Sequence, residues 1–296
     1  MRLVTFESHG GWRAGIAVGD KIVNALAAAE AANILRNISS LSNRSIVQLT
    51  PEQQTQLQQS AVTLADSAQA EVYRIDDVIL GPPIPDPDKI ICLGLNYRSH
   101  ADESGLATYE VPILFAKYRN ALTGPTSSII LPGMSKEVDY EAELAVVIGK
   151  RCKAIASTDA LKYVGGYMAF NDVSARDLQF RTSQWLSGKT LDTFAPCGPA
   201  LVMNEINDPQ NLNISTRLNG QISQESNTSH MISSVANTVA YISQLMTLEP
   251  GDIIATGTPE GVGFKRKPPI YLHDGDIVEI EIEGIGTLRN PVVRRG

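Results

Sequence analysis

Three carboxylates are spaced for chemistry. Glu141 and Glu143 stand two apart in Asp139-Tyr140-Glu141-Ala142-Glu143, at the head of the apolar run Leu144-Ala145-Val146-Val147-Ile148, and Asp172 closes the run Gly165-Gly166-Tyr167-Met168-Ala169-Phe170-Asn171. A strand alternates its side chains with a period of two, so both glutamates point to one face. Held ~5 Å apart at an effective dielectric of about 20, two such charges repel by roughly 3 kcal/mol. A converging pair must therefore share a proton or hold a cation, and a third acid nearby favours the cation. All three donors are oxygens, which suits Mg2+ or Mn2+ and disfavours zinc or copper. An isolated Glu-x-Glu also fits a solvated strand face; the apolar continuation and Asp172 weigh against that, but spacing alone leaves both readings open.

Other reactive residues lie close in sequence. In His100-Ala101-Asp102-Glu103 a helical turn would place residues three apart on one face. Glu103 could then fix the imidazole tautomer and make His100 a general base, whereas outside such a turn His100 is an exposed histidine beside an incidental acid. Arg176 and Gln179 follow Asp172, where an arginine can pair with a carboxylate and a glutamine can orient a bound oxygen. Lys189, in Gly188-Lys189-Thr190, could supply positive charge, although a lysine without such context belongs on the surface. Thr256-Gly257-Thr258-Pro259-Glu260-Gly261-Val262-Gly263 lacks both the ending of a P-loop and the spacing of a dinucleotide fingerprint. It reads as a tight turn that offers Thr258 and backbone N–H groups to a substrate carboxylate.

The elements that must position these groups are mostly short strands. Residues 1–8 and 12–18 read as a hairpin around Gly10-Gly11, followed by a strand over 21–24 and an alanine-rich helix over about 25–36. Pro51 opens a second helix running toward residue 68. Four prolines within Gly81-Pro82-Pro83-Ile84-Pro85-Asp86-Pro87-Asp88 mark a boundary, because they continue neither a helix nor a central strand. Beyond it, strands are expected over 90–95, 113–117, 128–131, 141–148, 167–171, 200–202, 213–218, 252–255 and 277–282. Helical patterns interrupt at 159–161 and 233–246. The expected fold class is mixed β with peripheral helices (α+β), with a small N-terminal α/β domain over 1–80 and a catalytic domain over 81–296.

Composition narrows the function classes. The 296 residues are 43% hydrophobic and carry a net charge of −7, which suits a globular chain able to bury a large core. Nucleic-acid and anionic-membrane partners are not expected, since both need clustered Lys and Arg, and no apolar run is long enough for a bilayer. Cys92, Cys152 and Cys197 are widely spaced and suggest reduced, buried thiols rather than disulfides or a zinc site. The strand-like, early-acidic N-terminus suits neither a signal nor a transit peptide, so a cytoplasmic location is expected.

From about residue 89 to 292 the chain resembles the fumarylacetoacetate hydrolase superfamily. The resemblance rests on Gly94-Leu95-Asn96-Tyr97 leading to His100-x-x-Glu103, Phe115-x-Lys117, Asp139-Tyr140-Glu141-x-Glu143 and Asn171-Asp172-Val173-Ser174-Ala175-Arg176-Asp177-x-Gln179. Gly188-Lys189-x-x-Asp192-Thr193-Phe194, Gly198-Pro199 and Gly251-Asp252-x-Ile254-x-Thr256-Gly257-Thr258-Pro259 extend it. It implies a β-roll core, Mg2+ or Mn2+ on Glu141, Glu143 and Asp172, a lid around residues 100–109 and a homodimer. The hydrolases proper add a fourth acidic ligand just before the dyad histidine, and residues 90–99 contain no carboxylate. The chain therefore looks like the smaller domain-containing branch of acylpyruvate hydrolases, oxaloacetate decarboxylases and keto-enol isomerases.

The expected function is that of a divalent-metal enzyme acting on a small 2-oxo acid through an enolate. His100, Glu103 and Lys189 would be catalytic, and Arg176, Gln179 and Thr258 would bind substrate. Hydrolysis of an acylpyruvate-like 2,4-dioxo acid stands first, with decarboxylation and tautomerisation as alternatives that use the same residues. A non-catalytic metal-binding module is the reading from another class; it would be marked by loss of a ligand or of the dyad, and all five residues are present.

Overall fold

The computed structural model describes residues 1–34, 39–67, 71–99 and 111–294. Strand Arg2–Ser8 pairs antiparallel with Gly11–Val18, and Lys21–Asn24 extends the pair as expected. The helix Ala25–Ala31 starts where the Asn24 side chain accepts the Leu26 N–H, and it ends short of residue 36 because Ala32 caps it and Asn33 turns to φ 55°. The helix Pro51–Ala65 opens with proline and a Thr50–Gln53 capping box, and stops three residues before the expected end. Both helices pack against Gly11–Val18. The N-terminal strands join the main sheet directly, since Arg2 and Leu3 pair with Val202 and Leu201 of the strand Ala195–Val202.

That sheet has twelve strands among the described residues. At its centre lies Ala142–Ile148, every residue of it buried, flanked antiparallel by Val164–Asn171 and by Ile253–Ala255. A strand covered on both faces reads as an unbroken apolar run rather than an alternating one. Ile253–Ala255 pairs in parallel with Ile90–Gly94, which carries the edge strand Ile113–Lys117. A second sheet orders Gln221–Asn227, Asn213–Leu218, Ile277–Ile282, Gly286–Arg294 and Ile129–Leu131 side by side. It packs on the first through Ile277–Ile282 and Gly286–Arg294. With the helix Val235–Leu245 on the periphery, beside the 3-10 turn Ser157–Tyr163, the architecture is the expected mixed β core with peripheral helices. All three cysteines are free and buried.

Register brings the acids together. Ala142 faces Asn171 and Glu143 faces Phe170, and the Asp172 N–H donates to the Glu141 carbonyl at 2.9 Å. Glu141 and Asp172 thus leave the same end of neighbouring strands. On the other side Ala145 faces Ala255, and continuing that antiparallel register places Gly257 opposite Glu143.

Candidate metal centre

Glu141, Glu143 and Asp172 each present a carboxylate oxygen within 4.8 Å of the others, and all three residues are buried. The donor set is oxygen only and its three members converge, so it fits a hard divalent cation. The expected face-sharing of Glu141 and Glu143 holds, although Glu141 precedes the strand rather than lying in it.

Cations thread this cluster. Lys189 donates from Nζ to Glu141 Oε2 and to Asp172 Oδ2, both at 2.8 Å. Lys117 donates to Asp172 Oδ1 and to the Val173 carbonyl. Arg176 donates from Nε to Asp139 at 2.7 Å, from Nη2 to Glu141 at 2.6 Å and from Nη1 to Gln179 Oε1 at 3.0 Å. The result is an alternating ladder, Lys117, Asp172, Lys189, Glu141, Arg176, Asp139. Glu143 stands outside it, accepting the Gly257 N–H at 2.8 Å and meeting no cationic side chain within ion-pairing distance among the described residues.

The protonation pattern follows from burial against pairing. Burial pushes the Glu143 carboxyl well above the usual carboxylate range, and the charges of Asp172 and Glu141 push it further. Burial also raises Asp139 to about 6, against the opposing pull of Arg176. Lys189 is held above the ordinary lysine value because Asp172 and Glu141 outweigh its burial, whereas burial wins at Lys117 and lowers it. Lys189 is thus a fixed positive charge, suited to stabilising an anion rather than to removing a proton.

The ladder opens into a pocket lined by Glu141, Arg176, Gln179, Lys189 and Thr258 together with aromatic side chains. All five were expected from sequence to be site residues, and the fold brings them together with Glu143 and Asp172. Thr258 Oγ1 accepts from Gln224 Nε2 at 2.8 Å, which leaves its hydroxyl hydrogen to donate. The turn behaves differently from expectation in one respect: the Gly257 N–H goes to Glu143, not to an open anion position. His100 and Glu103 lie outside the described residues.

Four further residues contribute to the site. Lys117 and Asp139 were visible only as letters in motifs. Gln224 ties the Ala142 N–H to Thr258 from the second sheet. Tyr97 is wholly buried with its hydroxyl unpartnered among the described residues, and burial with the charges of Glu143 and Glu260 keeps it protonated.

Gly257 is the position where a missing side chain matters most to this centre. Its φ is +91°, and a Cβ there would sit 2.8 Å from Asn96 Cβ. Asn96 cannot yield easily, because its amide is tied to Thr256 and Ser233. Gly257→Ala is expected to swing the N–H off Glu143 and weaken cation binding by about 10-fold or more, as read by Mn2+ titration calorimetry; unchanged affinity would refute this role.

A family model described as fumarylacetoacetate (FAA) hydrolase C-terminal matches residues 89–293. The mitochondrial oxaloacetate tautomerase Fahd2a of Rattus norvegicus is 45% identical over 301 residues, spanning 99% of this chain and 92% of that one. Among solved structures, the fumarylacetoacetate hydrolase of Exiguobacterium antarcticum superposes with a TM-score of 0.81 at 34% identity, covering all of both chains. The maleylpyruvate hydrolase of Sphingobium sp. SYK-6 does so with a TM-score of 0.79 at 31% identity, again over the whole of both.

Proposed function

This chain belongs to the fumarylacetoacetate hydrolase family, and we propose that it is a Mg2+- or Mn2+-dependent enzyme that interconverts the keto and enol forms of a small 2-oxo diacid such as oxaloacetate. The observation that carries the reading is the buried Lys189 amine, fixed at 2.8 Å to both Glu141 and Asp172 at the floor of the pocket. A divalent cation held by Glu141, Glu143 and Asp172 would supply Lewis-acid polarisation of the 2-oxo group. The residues of the chain do the rest. Lys189 keeps one N–H for the oxygen on which enolate charge develops, in a site where burial strengthens that attraction. Arg176 locks Glu141 and Gln179 in place, Gln179 orients the substrate through its amide, and Thr258 donates to a carboxylate end. His100, aligned by Glu103, is assigned the proton transfer at C3 on their sequence spacing.

Tautomerisation stands first because the rat relative, matched over almost the whole chain, bears that activity in its name. Hydrolytic cleavage of an acylpyruvate, which the sequence alone placed first, is the second reading, and likeness to the maleylpyruvate hydrolase favours it. In that version His100 would deprotonate a water that attacks the distal carbonyl, and the same enolate would leave.

The test offers oxaloacetate and an acylpyruvate with Mg2+ or Mn2+. Accelerated enol–keto exchange of oxaloacetate, abolished by a chelator, is the expected result. Cleavage of the acylpyruvate alone would install the second reading, and turnover indifferent to chelation would remove both.

A further inference from the structure

Each cation at the pocket floor is covered by a pair of rings. Lys189 Nζ lies 5.0 Å from the Phe115 ring centroid, and Phe115 meets the Trp185 indole edge-on at 5.4 Å and 66°. Arg176 Cζ lies 4.2 Å over Phe264, which in turn meets Phe180 at 5.7 Å. All four rings line the same pocket, whose open space is about 40 Å³, room for only a few waters.

Trp185 holds its wall by an unusual seat. Its indole lies on the α-carbon of Gly94, where an added Cβ would fall 2.5 Å from Cζ3 and 2.9 Å from Cη2. The backbone of Gly94 is not in the left-handed region, so the indole, not the chain path, requires the absent side chain. Trp185 also opens the helical turn Leu186–Lys189. Residues four apart share a face of such a turn, so the element that delivers the Lys189 charge delivers the wall as well.

We propose that Trp185, seated on Gly94 and braced by Phe115, is the specificity-determining residue that limits substrate length: the group carried beyond the 2-oxo acid head must be short, and long or branched acyl chains are rejected at the indole. This rests on the reading above in one respect, that the 2-oxo acid head occupies the carboxylate end of the pocket. Apolar pocket walls of this kind discriminate by roughly 10- to 200-fold per methylene-sized group.

Binding is measured separately from turnover, by calorimetry with saturating Mg2+ and two unbranched probes, 2-oxobutanoate and 2-oxooctanoate. The parent is expected to prefer the shorter acid. Trp185→Leu should shift the affinity ratio at least tenfold toward the longer one, with Trp185→Phe shifting it the same way by less. Gly94→Ala should push the indole inward and weaken both acids. A folded Trp185 variant with the parent's ratio would overturn the wall while leaving the proposed reaction intact. A shifted ratio in an enzyme that turns over no 2-oxo acid would uphold the wall and overturn the reaction. Binding of neither acid by the parent would overturn the wall.

Discussion

Glu143→Gln is expected to lose cation-dependent turnover by about three orders of magnitude while melting no lower than the parent. Changing groups that merely support a metal ligand costs about 10- to 100-fold, and removing the ligand charge itself costs more. Fold stability moves the other way. Glu143 is buried, faces Asp172 and Glu141, and makes no ion pair among the described residues, so the more distant Lys189 charge offsets them only in part. Its carboxyl titrates above the usual range, so the cation-free folded chain keeps a proton that the unfolded chain gives up. Stability of the cation-free protein therefore falls as pH rises from the ordinary carboxylate range toward the raised value, and the glutamine variant should flatten that slope. In the parent the cation must expel this proton, so its affinity should climb with pH by up to about tenfold per unit in the same window. Calorimetry in buffers of different protonation enthalpy reads the proton directly. A variant that melts several degrees lower, or that keeps cation-dependent turnover, contradicts the assignment.

Asp172→Ala should be equally inactive but, unlike the previous variant, unstable. Asp172 is fully buried and receives both Lys117 and Lys189. Deleting it leaves two ammonium groups without their shared partner in a dry interior, a change worth about 3–5 kcal/mol of destabilisation. For a chain of this size that corresponds to a fall in Tm on the order of 10 °C. The loss should be non-additive, because Lys117→Met in the same molecule removes one of the orphaned charges and restores part of the stability. Equal Tm for parent and Asp172→Ala, or no recovery in the double variant, would mean that the ladder does not carry the load assigned to it. Two acids of one triad thus separate by experiment: Glu143 serves the cation at the expense of the fold, and Asp172 serves both.

The unequal legibility of this protein follows from where each determinant lies. Helix starts were readable because their causes are adjacent in sequence: Asn24 caps Ala25–Ala31, and Thr50, Pro51 and Gln53 open Pro51–Ala65. Strands with apolar content, such as Ile113–Lys117, Asn213–Leu218 and Ile277–Ile282, have their expected bounds. Gln221–Asn227 went unnoticed because an outer strand has little need of apolar residues, and Gly286–Arg294 because Gly286 and Pro291 disguise a strand held between two others. Ala195–Val202 was recognised only over its last three residues, since Pro196, Gly198 and Pro199 read as a turn.

For the site, residue type and a spacing of two were enough to propose that Glu141 and Glu143 converge and that oxygen donors await a hard cation. Those features depend on the local geometry of one strand, which any strand obeys. Which groups neutralise, position and wall off that cluster was decided by the fold alone. Lys117 reaches Asp172 across 55 residues, Gln224 reaches Ala142 across 82, and Gly257 reaches Glu143 across 114. A lysine ending an apolar strand can extend to water as readily as it can be buried, and a glycine can serve a turn as readily as it can seat an indole. Only the partner brought by a distant strand settles the choice, because burial is a property of the packed chain and not of the residue.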